Sequence, residues 1–409
     1  MKKPELLMPA GSLDILKTVV NYGADAVYLG GEVLSLRAKA KNFTMPEIKE
    51  GIRYAHEHGV KVYVAANIFA HNWDLKAAMK FFLLLSNYHP DALIISDPGL
   101  FTLAQSLVPD IPVHISTQAN NTNYGTYLFW HKQGVKRVVA ARELSIEELK
   151  EIRANIPEDM EIEAFVHGAM CISYSGRCLI SNFLTGRDAN QGACTHPCRW
   201  KYHLMEETRP GEYMPVFEDE HGTYLYNSKD LCMIDHIPEL VDAGVGSLKV
   251  EGRMKTALYA ATVARAYRAA IDDYMENPET YYKKLPWYRE EVGKCTTRDF
   301  CTGFYFERPG AESQIYDNNT YRKEWVYLGT IEEENGRPFL LQKNKFSVGE
   351  EIEVMRPDGS NLPAVVKGLT TESGEAVEHA PHPGQKLFVD LGISLMPYDI
   401  LRKKAAQGE

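Results

Sequence analysis

Residues 1–276 alternate short, β-branched apolar runs with longer segments in which apolar residues recur every three or four positions. The first pattern predicts buried strands, and the second predicts amphipathic helices. Helices are expected at 45–58, 75–88 and 145–156, and Ser145 with Glu148 predicts a capping box at the start of the last one. Strands are expected at 6–8, 26–29, 62–67, 92–96, 113–116, 138–140, 162–166 and 248–250.

These eight strand–helix repeats predict an α/β fold, a TIM-like (β/α)8 barrel over residues 1–276, with a doubly wound open sheet as the alternative. The spacing breaks after the seventh strand, where residues 169–246 form a long insertion that carries cysteines. An insertion at that point follows the C-terminal end of a barrel strand. We therefore expect it at the face where barrel enzymes have their active sites.

The pattern changes beyond the barrel. Residues 277–325 are rich in aromatic residues and contain proline, which predicts a linker. Residues 326–409 contain short strands separated by NG, VG, DG and GQ turns, and this spacing predicts a small all-β barrel domain.

Composition narrows the class of protein. The 409 residues are 44% hydrophobic, which is enough for a large core, and the formal net charge of -10 argues against non-specific coating of nucleic acid. A local basic patch for one structured RNA is still compatible with that charge. The N-terminus has no signal-peptide run, and no apolar stretch approaches the roughly 18 residues of a membrane span, so we expect a soluble cytoplasmic protein without a membrane contact.

The cysteines are clustered rather than spread as in a disulfide framework, which favours reduced thiolates in coordination or redox chemistry. Four of them form two pairs in the insertion, with gaps of six and three residues: Cys171, Cys178, Cys194 and Cys198. Thiolate ligands with irregular gaps favour a 4Fe-4S cluster. A zinc site, which prefers two residues between paired cysteines, and buried structural cysteines are the alternatives.

Polar residues recur at the predicted C-terminal ends of the strands. They are Asn67, His71, Asp97, Gln118, Asn120, Arg142, Glu143, His167, Glu251 and Arg253. Any single one is more typical of a helix cap or a structural ion pair, but loops that follow barrel strands converge on one pocket. We therefore predict a pocket whose catalytic candidates are Asn67, Gln118, His167, Glu251 and Arg253. Lys249, Glu251 and Arg253 alternate along the eighth strand, so they are expected to point the same way.

Basic residues stand among aromatic ones near the C-terminus. Such residues usually form a solvated surface, but they could also bind RNA phosphates. The basic residues are Arg322, Lys323, Lys343, Lys345, Arg402, Lys403 and Lys404, and the aromatic residues include Trp325, Tyr327 and Phe346.

The segment EAFVHGAMCISYSGRCLIS at 163–181 resembles the signature of the U32 family of collagenase-like peptidases. The likeness extends over most of the chain, through PELLMPAG, GADAVYLG, SDPGL, STQAN, NQGACTHPCRW, RPGEYM and SLKVEGR, and is strongest to the branch that makes 5-hydroxyuridine in tRNA. Residues 202–209 are shorter than in some relatives, which carry an insertion there.

The resemblance implies a β/α barrel followed by a small β-barrel. It implies a 4Fe-4S cluster on Cys171, Cys178, Cys194 and Cys198, and prephenate-dependent hydroxylation of the wobble uridine of certain tRNAs. A carboxylate cosubstrate such as prephenate needs a cation beside it. Arginine suits this role because a guanidinium can bind a carboxylate through two parallel hydrogen bonds. Arg253 is the predicted cation, with Arg37 and Arg142 as alternatives.

Three functions follow from these expectations. The first is tRNA hydroxylation, with tRNA and prephenate as substrates and a second protein of the same family as a further partner. The second is proteolysis, the activity in the family's name, although the chain has neither a G-x-S-x-G nor an H-E-x-x-H motif. The third is a non-catalytic iron–sulfur accessory protein.

Overall fold

The computed structural model describes residues 2–35, 42–170, 181, 185, 187, 203–204, 214–215, 229–307 and 324–405. These residues fold as two compact units. The first consists of Met1–Leu16, Asp25–Met254 and Arg298–Thr320, and the second of Lys17–Ala24, Lys255–Thr297 and Tyr321–Glu409.

The first unit contains a closed barrel of eight parallel strands. The strands are β1 (Glu5–Pro9), β2 (Ala26–Gly30), β3 (Lys61–Ala66), β4 (Ala92–Ile95), β5 (Val113–Ile115), β6 (Arg137–Val139), β7 (Glu161–Ala169) and, after three shorter strands, β11 (Val245–Val250). Each strand pairs with the next, and β11 closes the barrel by pairing with both β1 and β7. All eight predicted strands are confirmed, and closure excludes the doubly wound open sheet.

Helices connect successive strands of the barrel. They are α1 (Leu13–Asn21), α2 (Met45–Glu57), α3 (Leu75–Ser86), α4 (Pro98–Leu107), α5 (Tyr124–Lys132), α6 (Ile146–Asn155) and the short α7 (Ile237–Asp242). The predicted capping box is confirmed, since the Ser145 hydroxyl accepts from the Glu148 amide and the Glu148 carboxylate accepts from the Ser145 amide. Among the described residues, no helix is both long and apolar enough to cross a membrane.

The long insertion leaves and rejoins the barrel at one place. Strand β7 continues past the barrel wall, and its last residues pair with the antiparallel strand β10 (Asp230–Cys232), with Ala169 opposite Asp230. A further short strand, β12 (Phe300–Cys301), pairs with β10. Inside the insertion the structure describes the two-residue strands β8 (His203–Leu204) and β9 (Met214–Pro215), which pair with each other. The described residues on either side of the insertion, Ala169 and Asp230, are thus paired at the C-terminal end of β7.

The second unit contains an antiparallel half-barrel. Its strands are β13 (Trp325–Glu334), β14 (Arg337–Gln342), β15 (Phe346–Ser347), β16 (Glu351–Met355), β17 (Asn361–Val365), β18 (Gly368–Thr371), β19 (Ala376–Val377), β20 (His379–Ala380), β21 (Lys386–Asp390) and β22 (Ile400–Lys404). Eight of these strands form one sheet in the order β17-β16-β22-β13-β14-β21-β18-β19. Phe346 is fully buried in the apolar core beneath this sheet. The all-β prediction for this region is confirmed.

Two helices also belong to the second unit, α8 (Ala257–Glu276) and α9 (Pro278–Gly293). The segment 277–325, expected to be a linker, therefore contains a helix of 16 residues. Asn277 begins α9 by accepting a hydrogen bond from the Glu279 amide, and Pro278 stands in the first turn, where its missing N–H removes no helical hydrogen bond.

A buried ionic cluster joins these helices to the half-barrel. Glu291 on α9 is fully buried and accepts hydrogen bonds from Arg265 on α8 and from Arg402 on β22, the latter at 2.9 Å. Burial alone would raise the pKa of Glu291, but the two guanidinium groups and Lys294 hold it below its usual value. Arg402, expected at an RNA-binding surface, is instead a structural residue with no exposed side chain.

Candidate functional site

Polar side chains from several loops meet at the C-terminal mouth of the barrel. The closest group lies between β3 and β5, where the Asn67 amide nitrogen is 3.2 Å from the Gln118 amide oxygen and 3.5 Å from the Ser116 hydroxyl. Ser116 donates to the same Gln118 oxygen at 2.5 Å, and Ser96 donates to the Asn67 carbonyl at 3.1 Å. The structure therefore brings together two predicted residues, Asn67 and Gln118, and adds two serines.

Arg142 and Glu251 form a second group. The Arg142 guanidinium donates to the Ala169 carbonyl at 2.9 Å and lies 3.4 Å from the Glu251 carboxylate. It also lies over the Phe165 ring, 3.9 Å from the centroid. Because Ala169 stands two residues before Cys171, Arg142 fixes the backbone where the cysteine-bearing insertion leaves the barrel.

Arg253 occupies a third position at the mouth. Its guanidinium donates to the Ser35 hydroxyl at 2.7 Å, and the side chain is buried. It fits against the end of β2 because residue 30 is glycine: a Cβ atom there would lie 2.1 Å from the Arg253 Nη1. Arg253 is thus held between the end of β2 and Ser35, and its role as a carboxylate-binding residue stays a prediction.

The prediction that Lys249, Glu251 and Arg253 point the same way assumes that strand alternation continues to residue 253. Strand β11 ends at Val250, after a register shift between Lys249 and Val250. Lys249 points into the barrel and donates to Glu163 at 2.7 Å.

His167 lies on β7 beside these groups, and its side chain is buried. Its carbonyl accepts from the Glu251 amide at 2.8 Å, and its ring centroid lies 5.4 Å from that of Phe300. The next residue, Gly168, has φ +107°, and a Cβ atom there would lie 2.5 Å from the Glu251 carbonyl oxygen. The close approach of β7 to the end of β11 therefore requires glycine at this position.

Other polar residues that follow the strands have local roles. Asp97 caps α4 by accepting from the Leu100 amide at 2.9 Å. Asn120 adopts the left-handed conformation, with φ 53°, after the short 3-10 turn Thr117–Ala119. His71 lies on an exposed part of the loop between β3 and α3.

Beneath the mouth, the barrel interior holds ion pairs that the sequence analysis did not identify. Glu163 is fully buried between Lys249 and Arg137. The nearest Arg137 nitrogen lies 3.5 Å from the Glu163 carboxylate. Burial alone would lower the pKa of Arg137, but the carboxylates of Glu5 and Glu163 raise it above its usual value. Glu161 and Glu163 alternate on β7 with apolar residues, and this was the available signal that two carboxylates face the interior.

His114 is buried in the same interior, packed edge-on against the Tyr63 ring at 4.7 Å. Its pKa lies well below 6.5 because burial and then the cations Arg137, Lys249 and Lys61 disfavour the protonated ring. The imidazole is therefore neutral at physiological pH.

Some predicted site residues lie outside the described part of the chain. They are Cys171, Cys178, Cys194, Cys198, Arg37, Arg322 and Lys323. Within the described residues, no group of three or more His, Cys, Asp or Glu side chains is arranged to hold a metal ion. The cluster on the four cysteines stays a prediction.

The basic residues expected to bind RNA in the second unit have different environments. Arg402 is buried, and Phe346 belongs to the core, so neither is available to RNA. Lys343 and Lys345 are exposed, whereas Lys403 is paired with Glu350 at 2.5 Å.

The fold and this mouth define a β/α-barrel protein in which two amides, two arginines and a carboxylate follow barrel strands at the end where a cysteine-bearing insertion begins. The chain belongs to peptidase family U32. The profile described as "Peptidase family U32" matches residues 11–315, and the profile described as "Peptidase family U32 C-terminal domain" matches residues 323–402.

Relatives within the family carry different names. "tRNA hydroxylation protein P1" of Bacillus subtilis (strain 168) is 38% identical over 98% of this chain and 95% of its own length. "Uncharacterized protease MJ0090" of Methanocaldococcus jannaschii is 46% identical over 74% of this chain and 73% of its own length. "23S rRNA 5-hydroxycytidine C2501 synthase" of Escherichia coli (strain K12) is 35% identical over 66% of this chain and 40% of its own length.

Proposed function

We propose that this protein hydroxylates C5 of a pyrimidine in RNA, and that its substrate is the wobble uridine of tRNA. The observation that carries the proposal is the combination of a barrel mouth rich in amide and guanidinium groups with near full-length similarity to a protein named for tRNA hydroxylation. The rRNA synthase named above acts at the same carbon of the other pyrimidine, so one chemistry would serve both relatives.

Each polar group at the mouth has a role in this proposal. Asn67 and Gln118 present amide donors and acceptors, which are the groups that read the Watson–Crick edge of an unpaired base. Arg253 would bind a carboxylate of prephenate through its planar guanidinium. Glu251 orients Arg142, and Arg142 in turn holds the start of the insertion through the Ala169 carbonyl.

We further propose that Cys171, Cys178, Cys194 and Cys198 bind a 4Fe-4S cluster. Four thiolates in one insertion suit such a cluster, and both ends of the insertion are anchored at the mouth by the pairing of Ala169 with Asp230. When bound, such a cluster would supply one-electron transfer. The described residues would bind and orient the base and the cosubstrate.

The peptidase alternative has less support from the described mouth. Ser96 and Ser116 donate to a main-chain carbonyl and to an amide, and Ser35 accepts from Arg253, so these three hydroxyls are not paired with a histidine base. If the purified holoprotein degrades gelatin or casein, and a substitution at Glu251 abolishes the cleavage, the peptidase function is supported instead.

The function is tested by expressing the chain in a host whose own U32-family hydroxylation genes are deleted. Nucleoside mass spectrometry of digested tRNA should detect 5-hydroxyuridine with the wild-type chain and none with an empty vector. If the wild-type chain accumulates as a folded, iron-loaded protein and no hydroxylated nucleoside appears, the proposal is wrong.

The cluster is tested on anaerobically purified protein. Wild type should contain iron and sulfide and show the broad visible absorbance of thiolate–iron coordination, and Cys171→Ser or Cys194→Ser should lose both. Cys295→Ser is the matched control, because Cys295 is buried in the second unit and contacts the Val292 carbonyl. Stoichiometric zinc without iron in the wild-type protein would contradict the proposal.

A further inference from the structure

The loop between β3 and α3 carries an exposed aromatic pair that the proposed function does not use. The Trp73 indole is 73% exposed and stacks on the His71 imidazole, with ring centroids 4.2 Å apart and planes 5° apart. One face of the indole is thus covered by a parallel ring. The exposure of Trp73 shows that the opposite face of the indole is open to solvent.

This pair is held in place by the start of α3. The Asp74 carboxylate accepts from the His71 amide at 2.8 Å, and the Asp74 amide donates to the His71 carbonyl at 2.9 Å. The loop begins at Asn67, whose side chain lies in the mouth beside Gln118. The stack is therefore a fixed surface at the same end of the barrel as the proposed pocket.

The charges of the segment that carries the stack favour an anion. Between residues 67 and 90 the charged side chains are Asp74, Lys76 and Lys80, and both lysines lie exposed on α3. The Asp74 carboxylate is engaged with the His71 amide. This segment is therefore net positive in a chain whose formal net charge is -10.

The rest of the mouth rim also exposes apolar side chains. Val33 follows β2 and is 40% exposed, Tyr124 begins α5 and is 41% exposed, and Met254 follows β11 and is 60% exposed. They come from three different loops at the C-terminal end of the barrel. Exposed aromatic and apolar side chains with two lysines on the neighbouring helix α3 are suited to unpaired nucleotides, which present both a π-face and a phosphate.

We propose that Trp73, backed by His71, is the stacking platform for an unpaired base that flanks the target base in the RNA substrate, with Lys76 and Lys80 near the phosphates. This inference rests on the proposed function and deepens it, because it places RNA binding on the barrel rim. Stacking on an aromatic side chain tolerates any base, so the platform would contribute affinity and position the strand without reading its sequence.

The probe is a fluorescein-labelled RNA hairpin with a seven-base loop and a central uridine, compared with a blunt duplex of the same stem. Fluorescence anisotropy with the anaerobic holoprotein should show that Trp73→Ala weakens hairpin binding on the order of tenfold or more, as expected for loss of one stacked base. Trp73→Phe should stay within about threefold of wild type, because an aromatic face remains. Leu84→Ala is the matched control, since Leu84 is 47% exposed but lies in the last turn of α3, away from the mouth.

A second measurement reports on Trp73 directly. The emission of wild type minus that of Trp73→Phe isolates the Trp73 contribution, and hairpin addition should quench it. Unchanged emission together with equal hairpin affinity of wild type and Trp73→Ala would overturn the inference. Equal binding of hairpin and duplex would also overturn it. A Trp73→Ala protein that binds the hairpin as wild type does, but has a different oligomeric state, would overturn it too and would assign the rim to a protein interface.

The two proposals fail in different ways. If wild type makes 5-hydroxyuridine in cells and Trp73→Ala makes as much with the same hairpin affinity, only the platform is wrong. If wild type binds the hairpin through Trp73 but makes no hydroxylated nucleoside, the platform stands and the hydroxylation proposal is wrong.

Discussion

Gly168→Ala tests whether the close approach of β7 to the end of β11 organises the mouth. The new methyl group would lie 2.5 Å from the Glu251 carbonyl oxygen and 3.0 Å from the Glu251 Cβ, so one strand must move. The glycine also has φ +107°, where an L-residue is strained by about 1–2 kcal/mol. Overpacking of this kind adds about 1–3 kcal/mol, so the free energy of unfolding should fall by about 2–5 kcal/mol.

Gly134→Ala is the matched control. Gly134 has φ +86°, but a Cβ atom there meets nothing within 4 Å, so only the conformational strain of about 1–2 kcal/mol applies. Urea unfolding followed by far-UV circular dichroism gives both values, and their difference isolates the contact with Glu251. Under native conditions Gly168→Ala should also lose tRNA hydroxylation, because Glu251 moves away from Arg142, whereas Gly134→Ala should retain it. Equal destabilisation of the two variants, or full hydroxylation by folded Gly168→Ala, would refute the reasoning.

Three further predictions concern buried titratable side chains. Glu291→Gln removes the carboxylate that pairs with Arg265 and leaves Arg402 with only Glu353. The free energy of unfolding in urea should therefore fall by about 3 kcal/mol or more, and a fall below about 1 kcal/mol would contradict the ionic cluster. The pKa of His114 is lowered in the folded protein, so the neutral ring contributes its full stability to the fold above pH 6.5, and this contribution is lost as the pH falls below that value. Wild type should therefore lose more stability than His114→Gln on acidification from about pH 7.5 to 5.5, by up to about 1.4 kcal/mol per pH unit, and parallel pH profiles would contradict this. If the proposed prephenate site is right, Arg253→Lys should keep the fold but raise the prephenate concentration needed for half-maximal hydroxylation about tenfold. An unchanged requirement would remove Arg253 from the proposed site.

The barrel could be predicted from sequence because each strand carries its own signal. Runs of β-branched residues alternate with segments of helical period, and eight such strands have few ways to be buried together. The same reasoning found Asn67 and Gln118, since residues that directly follow parallel strands must share one end of the barrel. The distance between Asn67 and Gln118 along the chain does not affect this reasoning.

Contacts between distant residues were not predictable in the same way. Lys249 and Glu163 are 86 positions apart, and Arg402 and Glu291 are 111 positions apart. A charged residue in an apolar strand shows only that a partner is needed, not which residue supplies it. Arg402 was consequently assigned to the surface.

The helix Pro278–Gly293 was missed for a local reason. Its sequence combines an initial proline, the internal Pro286 and several aromatic residues, all of which lower helix propensity. The helix forms because its buried face packs in the second unit, where Tyr281, Tyr288 and Glu291 are almost fully enclosed. Packing of this kind outweighs intrinsic propensity and leaves little trace in the sequence.

The central claim is that the barrel mouth hydroxylates tRNA, and Glu251→Gln tests it most directly. The variant keeps the size of the side chain at position 251 but removes the negative charge beside Arg142. Nucleoside mass spectrometry should find 5-hydroxyuridine in tRNA from cells that express wild type, and at least about tenfold less from cells that express a folded, iron-loaded Glu251→Gln protein. Wild-type levels of 5-hydroxyuridine with Glu251→Gln, or none with wild type, would contradict the account.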